Sequence, residues 1–214
     1  MPRFGIPCVR EHILTHDAQI QSENLDFNGP VVLKILSETI MHKSEVGGVI
    51  VGVDPFHLGD AMRDMHAQVF RCTGQTVEQY VVQEMVTDGV EFMIGLQRDP
   101  LGSALLLGMG GVTAELMQDT VLLMLPADGQ LSHQQIANSL KKLKQWPLLD
   151  GYRGRAKADV PALIDAISRF ADMAQYLDPN LLEAEINPIF VFKEGCGVKA
   201  ADGIACFRTA CVSG

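Results

Sequence analysis

Apolar positions along this chain follow two periods, two and about 3.6, with no regular alternation between them. Val31-Val32-Leu33-Lys34-Ile35-Leu36 is aliphatic and β-branched around one lysine, which predicts a strand. Gly47-Gly48 interrupts the pattern before a second predicted strand, Val49-Ile50-Val51-Gly52-Val53. Leu58, Met62, Met65 and Val69 then recur at helical spacing with polar residues between them. Residues 80–86 and 91–96 read as strands around the Asp88-Gly89 turn, and 103–107 as an apolar strand running into Gly108-Met109-Gly110-Gly111. Ser132 is placed to cap a helix with Ile136, Leu140 and Leu143 on its buried face. A longer helix is expected from about 159 to 177: Asp159 caps it, Pro161 fits its first turn, and Leu163, Ile167, Phe170 and Ala174 form its stripe. Asp178-Pro179 ends it, and the last strands fall near 182–192 and 197–201. The order lacks the regular alternation of a doubly wound sheet. It predicts an α+β fold of two lobes, residues 1–86 and 87–214, with the seam near 84–89.

Composition narrows the function. The 214 residues carry 17 basic and 26 acidic side chains, a net charge of −9. That balance argues against a binder of duplex DNA or of an anionic membrane, whose affinity rests on a basic surface. It leaves nucleotides open, because local lysines, backbone amides and a metal hold phosphate in an acidic protein. The five cysteines, Cys8, Cys72, Cys196, Cys206 and Cys211, are scattered and contain no CxxC pair. They read as reduced thiols of a cytosolic protein. The first residues offer no apolar core of a signal peptide, and the apolar stretches at 104–107 and 121–125 are too short to span a bilayer.

Four places could carry chemistry. Lys34 sits within an apolar strand, so it requires an anionic partner such as a carboxylate or phosphate, or an edge position from which its stem reaches water. The next segment, His42-Lys43-Ser44-Glu45-Val46-Gly47-Gly48, holds an imidazole that could accept a phosphoryl group and glycines whose amides could approach phosphate, or else forms a solvated turn. Gly108-Met109-Gly110-Gly111 lacks both the P-loop ending and the dinucleotide fingerprint, leaving at most a backbone platform. In Leu182-Glu183-Ala184-Glu185-Ile186-Asn187-Pro188, strand alternation puts Glu183, Glu185 and Asn187 on one face. That face is either a magnesium site, to which Asp202 could add an oxygen, or the solvated side of an antiparallel sheet. Arg98-Asp99-Pro100 and Asp150-Gly151-Tyr152-Arg153-Gly154 are loop-like, with arginines suited to a phosphate clamp or to a surface ion pair.

Taken in order, these segments resemble the ATP-grasp domain of the NDP-forming acyl-CoA synthetases, the family of ADP-forming acetyl-CoA synthetase and, more distantly, succinyl-CoA synthetase. The resemblance runs through Phe4-Gly5-Ile6-Pro7, Pro30-Val31-Val32-Leu33-Lys34, His42-Lys43-Ser44-Glu45-Val46-Gly47-Gly48-Val49, Val82-Gln83-Glu84-Met85-Val86 and Gly89-Val90-Glu91. It continues through Arg98-Asp99-Pro100, Gly108-Met109-Gly110-Gly111, the segment from Pro147-Leu148-Leu149 to Gly154, and Glu185-Ile186-Asn187-Pro188. It implies an ATP-grasp fold with the nucleotide site between two α+β lobes, and ATP/ADP and Mg²⁺ as cofactors. It also implies site residues: Lys34 on the phosphates, the backbone of Glu84, Met85 and Val86 along the adenine edge, and Asn187 and Asp202 on the metal. His42 would be the phosphate carrier, with Glu185 as a second catalytic residue beside the metal ligands; Glu91 and Glu115 lie within the motifs without an assigned step.

The implied reaction is a phosphoryl relay. An acyl-CoA and phosphate give acyl phosphate and CoA on a partner domain whose own histidine is phosphorylated, and the phosphate passes to His42 and then to ADP. Glu45 stands where the family pattern has aspartate. The length leaves no room for a CoA-binding domain, so the expected partner is a CoA-binding α-type subunit or fused domain, with no nucleic acid and no membrane. Two rival readings are a regulatory module that binds nucleotide without transferring phosphate and an ATP-grasp ligase that makes an acyl phosphate for an amine. The set Lys34, His42, Asn187 and Asp202 favours the synthetase, because neither rival needs His42.

Overall fold

A computed structural model describes residues 1–16, 25–27, 29–37, 39–40, 43–100, 102–111, 119–126, 130–177 and 180–208. The chain divides into two compact units, residues 9–87 and residues 1–8 with 88–214.

In the smaller unit, the described strands β1 (Glu11–Thr15), β2 (Val31–Leu36), β3 (Val49–Val53) and β4 (Gln79–Glu84) form an antiparallel sheet in the order β1-β4-β2-β3. Helix α1 (Leu58–Thr73) buries Leu58, Met62, Met65 and Val69, the stripe expected from sequence. These pack with Val31, Leu33, Ile35, Tyr80 and Val82, all fully buried, so odd positions of β2 and even positions of β4 face the core. At roughly 1.5–3 kcal/mol per buried aliphatic side chain, that stripe holds the helix to the sheet. Asp54 opens the turn before α1 by accepting the Phe56 amide at 2.9 Å, and Gly74 closes the helix in left-handed backbone, φ 70°.

In the larger unit, β5 (Val90–Asp99), β6 (Gly102–Met109), β7 (Thr120–Met124), β8 (Leu181–Val191) and β10 (Gly203–Phe207) run antiparallel in the order β10-β8-β5-β6-β7, and β9 (Val198–Ala200) pairs with β8. Helices α2 (His133–Leu140) and α4 (Val160–Tyr176) join one core with this sheet, and the single turn α3 (Trp146–Leu149) lies between them in sequence. Ser132 and Gln135 form a reciprocal capping box on α2. Leu143 is buried as expected but lies beyond the helix end, in a turn whose Lys144 and Gln145 amides donate to the buried Asp119 carboxylate at 2.9 and 2.8 Å.

The division expected at 86/87 assigns the first residues to the N-terminal lobe. In the structure residues 1–8 belong to the larger unit: Ile6 enters its core and the Ala200 amide donates to the Pro7 carbonyl at 2.8 Å. Among the described residues no helix is long and apolar enough to cross a membrane.

Candidate functional site

In the smaller unit Lys34 points to the face of the sheet away from α1, opposite Val81 on β4 and Val49 on β3, and is half-buried. One row further on, Gln83 stands between Val32 on β2 and Glu11 on β1. Gln83 Nε2 donates to Glu11 Oε2 at 2.8 Å, and Gln83 is 7% exposed. Glu84 ends β4 with its side chain on the other face. Its carboxylate accepts the Arg10 amide at 3.2 Å and lies 3.5 Å from Arg10 Nε, so a ligand on the Lys34 side meets the main chain of Glu84 rather than its carboxylate. Met85 and Val86 follow outside any helix or strand.

The turn after residue 42 explains its glycines differently from the phosphate reading. The Gly48 amide donates to the Lys43 carbonyl at 2.7 Å and the Gly47 amide to Ser44 at 3.2 Å, so both are consumed inside the turn. Gly47 has φ 77°, and a side chain at Gly48 would press against Ile35 and the Lys43 carbonyl. His42, and with it the proposed carrier, lies outside the described residues; so does Glu115.

In the larger unit β8 alternates as expected. Ala184 and Ile186 are buried against the helices, while Glu183, Glu185 and Asn187 take the other face, Glu185 and Asn187 half-buried. Glu185 stands between Gly95 on β5 and Ile204 on β10. The β5 partners move from Phe92 to Ile94 while β8 advances from Ile189 to Ile186, a bulge with one extra residue on β8 at Asn187-Pro188. Bulges re-aim side chains, and this one brings Asn187 to two neighbours. The Asn187 amide donates to the Asp202 carbonyl at 3.2 Å, and the Gly111 amide donates to Asn187 Oδ1 at 3.5 Å. Asp202 is exposed, with Oδ1 accepting the Gly203 amide at 2.9 Å. The main chains of Asn187 and Asp202 thus adjoin, and each residue carries a side-chain oxygen of the kind a hard divalent cation takes alongside phosphate and water. Among the described residues no three His, Cys, Asp or Glu side chains converge on one point.

The Gly108-Met109-Gly110-Gly111 segment is shaped by close approach. A side chain at Gly108 would press on Thr120 and the Asp119 carbonyl, and one at Gly110 on the backbone of Phe92. At Gly111, φ 73°, the space of a side chain is filled by the Glu91 carboxylate. Glu91 therefore adjoins the glycine whose amide meets Asn187. The sequence placed Glu91 in a motif without a role; the signal was the glycine pair one strand away, which only the β5–β6 pairing interprets.

Arg98, expected in a loop, lies instead near the end of β5, paired with Ser103 on β6. Arg98 donates to the Ala174 carbonyl in the last turn of α4, a helix-end contact rather than a phosphate clamp, and burial lowers its pKa. Arg153 lies over the Tyr152 ring at 5.3 Å, in left-handed backbone, φ 53°.

The ATP-grasp domain family matches residues 1–204, and the chain belongs to it. It is 35% identical over 172 residues to an acetate–CoA ligase (ADP-forming) I of Archaeoglobus fulgidus, covering 79% of this chain and 24% of that protein. It is 28% identical over 202 residues to the β subunit of acetate–CoA ligase (ADP-forming) I of Pyrococcus furiosus, covering 89% of this chain and 82% of the subunit. A solved acetyl-coenzyme A synthetase 1 of Candidatus Korarchaeum cryptofilum, in complex with coenzyme A and Mg-AMPPCP and with its phosphohistidine segment pointing towards the nucleotide-binding site, superposes with a TM-score of 0.77 at 32% identity. That match covers 97% of this chain and 88% of the other. The chain thus spans about a quarter of the Archaeoglobus protein.

Proposed function

We propose that this chain is the nucleotide-handling part of an ADP-forming acyl-CoA synthetase and passes phosphate between ATP/ADP and a histidine relay. The observation that supports the reading is the β8 bulge, where the Asn187 amide meets the Asp202 carbonyl and Asn187 Oδ1 accepts the Gly111 amide next to Glu91. In this reading Asn187 and Asp202 hold Mg²⁺, Lys34 contacts the phosphates, and main-chain groups of Glu84, Met85 and Val86 follow the adenine edge. When bound, the metal offsets charge on the transferring phosphoryl group. Lys34 adds a second positive charge fixed on a strand, so little reorganisation is needed as negative charge shifts in the transition state. Glu185, on the same face as Asn187, is the candidate to orient the imidazole that exchanges phosphate. His42 is the proposed carrier, taking the γ-phosphoryl group on a ring nitrogen while ADP leaves, and returning it in the reverse direction. The partner is a CoA-binding α-type subunit or fused domain that makes and cleaves the acyl phosphate, and the relatives' names support that pairing.

The test is incubation with Mg²⁺ and γ-labelled ATP, alone and with such a partner. The expected result is an acid-labile, alkali-stable label that ADP discharges and that His42→Ala abolishes. The same label in His42→Ala would remove the carrier, and nucleotide binding without label even beside the partner would favour a regulatory module.

A further inference from the structure

We infer that Arg10 is a positioning residue for the nucleotide base, fixing the main chain that the base follows; the inference rests on the reading above that residues 84–86 lie along the edge of a base. On one side Glu84 is held by β2, where it pairs with Val31. On the other side the β1–β4 register stops at Glu11 and Gln83, and Arg10 carries the contact one residue further. The Glu84 amide donates to the Arg10 carbonyl at 2.8 Å, and the Arg10 amide donates back to Glu84 Oε2 at 3.2 Å. Arg10 Nε donates to the same oxygen at 3.5 Å. The rest of the guanidinium reaches a different segment: Nη1 donates to the Asp26 carbonyl at 2.6 Å, and the group lies over the Phe27 ring at 5.6 Å. That segment is itself anchored, because Leu25 is buried in the core of this unit and the Phe27 ring meets His12 edge-on at 5.3 Å.

Arg10 thus ties the last residue of β4 to the anchored 25–27 segment. Met85 and Val86 follow outside any helix or strand, so the placement of Glu84 sets where they start. Main chain that must be ordered when a ligand arrives takes that ordering entropy out of the affinity, and main chain held beforehand does not. The guanidinium meets the Glu84 carboxylate on the face of the sheet away from Lys34, so Arg10 acts through Glu84 and not on the phosphates. The planar fork is what lets one side chain serve the carboxylate and the Asp26 carbonyl together; a lysine ammonium is a single point of charge.

Calorimetric titration of the full chain with AMPPCP and with tripolyphosphate, which has no base, both with Mg²⁺, tests the inference. Arg10→Met should weaken AMPPCP by about fivefold to tenfold and change tripolyphosphate by less than about twofold. Arg10→Lys, which keeps the charge and loses the fork, should weaken AMPPCP by about threefold, and it supplies the comparison should the methionine variant fail to fold. Because Arg10 acts through the Glu84 carboxylate, adding Glu84→Ala to Arg10→Met should cost AMPPCP less than about a further twofold. Unchanged AMPPCP affinity in the folded Arg10 variants, an equal loss for both ligands, or losses that simply add in the double variant would overturn the inference while leaving the nucleotide reading standing. Failure of AMPPCP to bind the unmutated chain would overturn that reading and this inference together.

Discussion

Replacing Gly111 by alanine should damage nucleotide handling well beyond its effect on the fold. Gly111 and Gly195 both lie in the larger unit in left-handed backbone, φ 73° and 80°. A side chain in that region costs an L-residue about 1–2 kcal/mol. For a chain of this size each kcal/mol lowers the melting temperature by about 2–4 °C, so both alanine variants should melt roughly 2–8 °C early. Their surroundings differ. Nothing lies within 4 Å of the added carbon at Gly195, whereas at Gly111 it meets the Glu91 carboxylate. That carboxylate is the end of a flexible side chain, so it swings aside while the strand holds. The displacement occurs beside the Gly111 amide that faces Asn187 Oδ1. Affinity for Mg-AMPPCP, measured by calorimetry, should therefore fall about tenfold in Gly111→Ala, equivalent to about 1.4 kcal/mol, and stay unchanged in Gly195→Ala. Equal affinities in the two variants at matched stability would refute the idea that Glu91, Gly111 and Asn187 form one working cluster.

Three further outcomes follow from the same geometry. Lys34→Met keeps the stem and removes the charge, and phosphoryl transfer from labelled ATP should slow by about 10²–10³-fold. Asp159 is buried and accepts the Ala162 amide at 3.1 Å and the Gly197 amide at 2.8 Å, so Asp159→Ala loses a helix cap and strands a second donor. The cost should be about 2–4 kcal/mol in denaturant unfolding. Burial raises the Tyr80 phenol above its ordinary value of 10.0. The stability linked to its neutral form is complete below that value and is lost as pH rises through the folded pKa, so Tyr80→Phe should flatten the alkaline limb of a stability–pH curve.

What the sequence revealed of this fold was what local physics determines. Helices α1 and α4 were legible because their stripes bury one face and Asp159 and Pro161 mark where α4 starts. The interior strands were legible because both neighbours are strands and their apolar residues fill a core. β1 and β10 escaped detection as edge strands: β1 is only partly covered, and β10 is exposed along its length. Among the described residues β7 pairs only with β6, and it exposes Leu122 and Met124, so its apolar run did not alternate with a polar face. Within the site, Glu183, Glu185 and Asn187 were placed on one face by alternation alone. The contact of Asn187 with Asp202 and Gly111 depends on the bulge, a property of pairing that one strand's residues do not encode. The Gly47-Gly48 pair was left open between an anion loop and a turn, and only the paired structure shows its turn hydrogen bonds and its close approach to Ile35.

The central claim is that Asn187 and Asp202 hold the metal that travels with the nucleotide. Calorimetric titration of AMPPCP with and without Mg²⁺, in the unmutated chain and in Asn187→Ala and Asp202→Asn, measures it directly. The account predicts that Mg²⁺ tightens binding to the unmutated chain by at least about tenfold and that each variant loses most of that gain while its metal-free affinity holds. A gain from Mg²⁺ that survives intact in both variants would place the metal elsewhere and contradict the account.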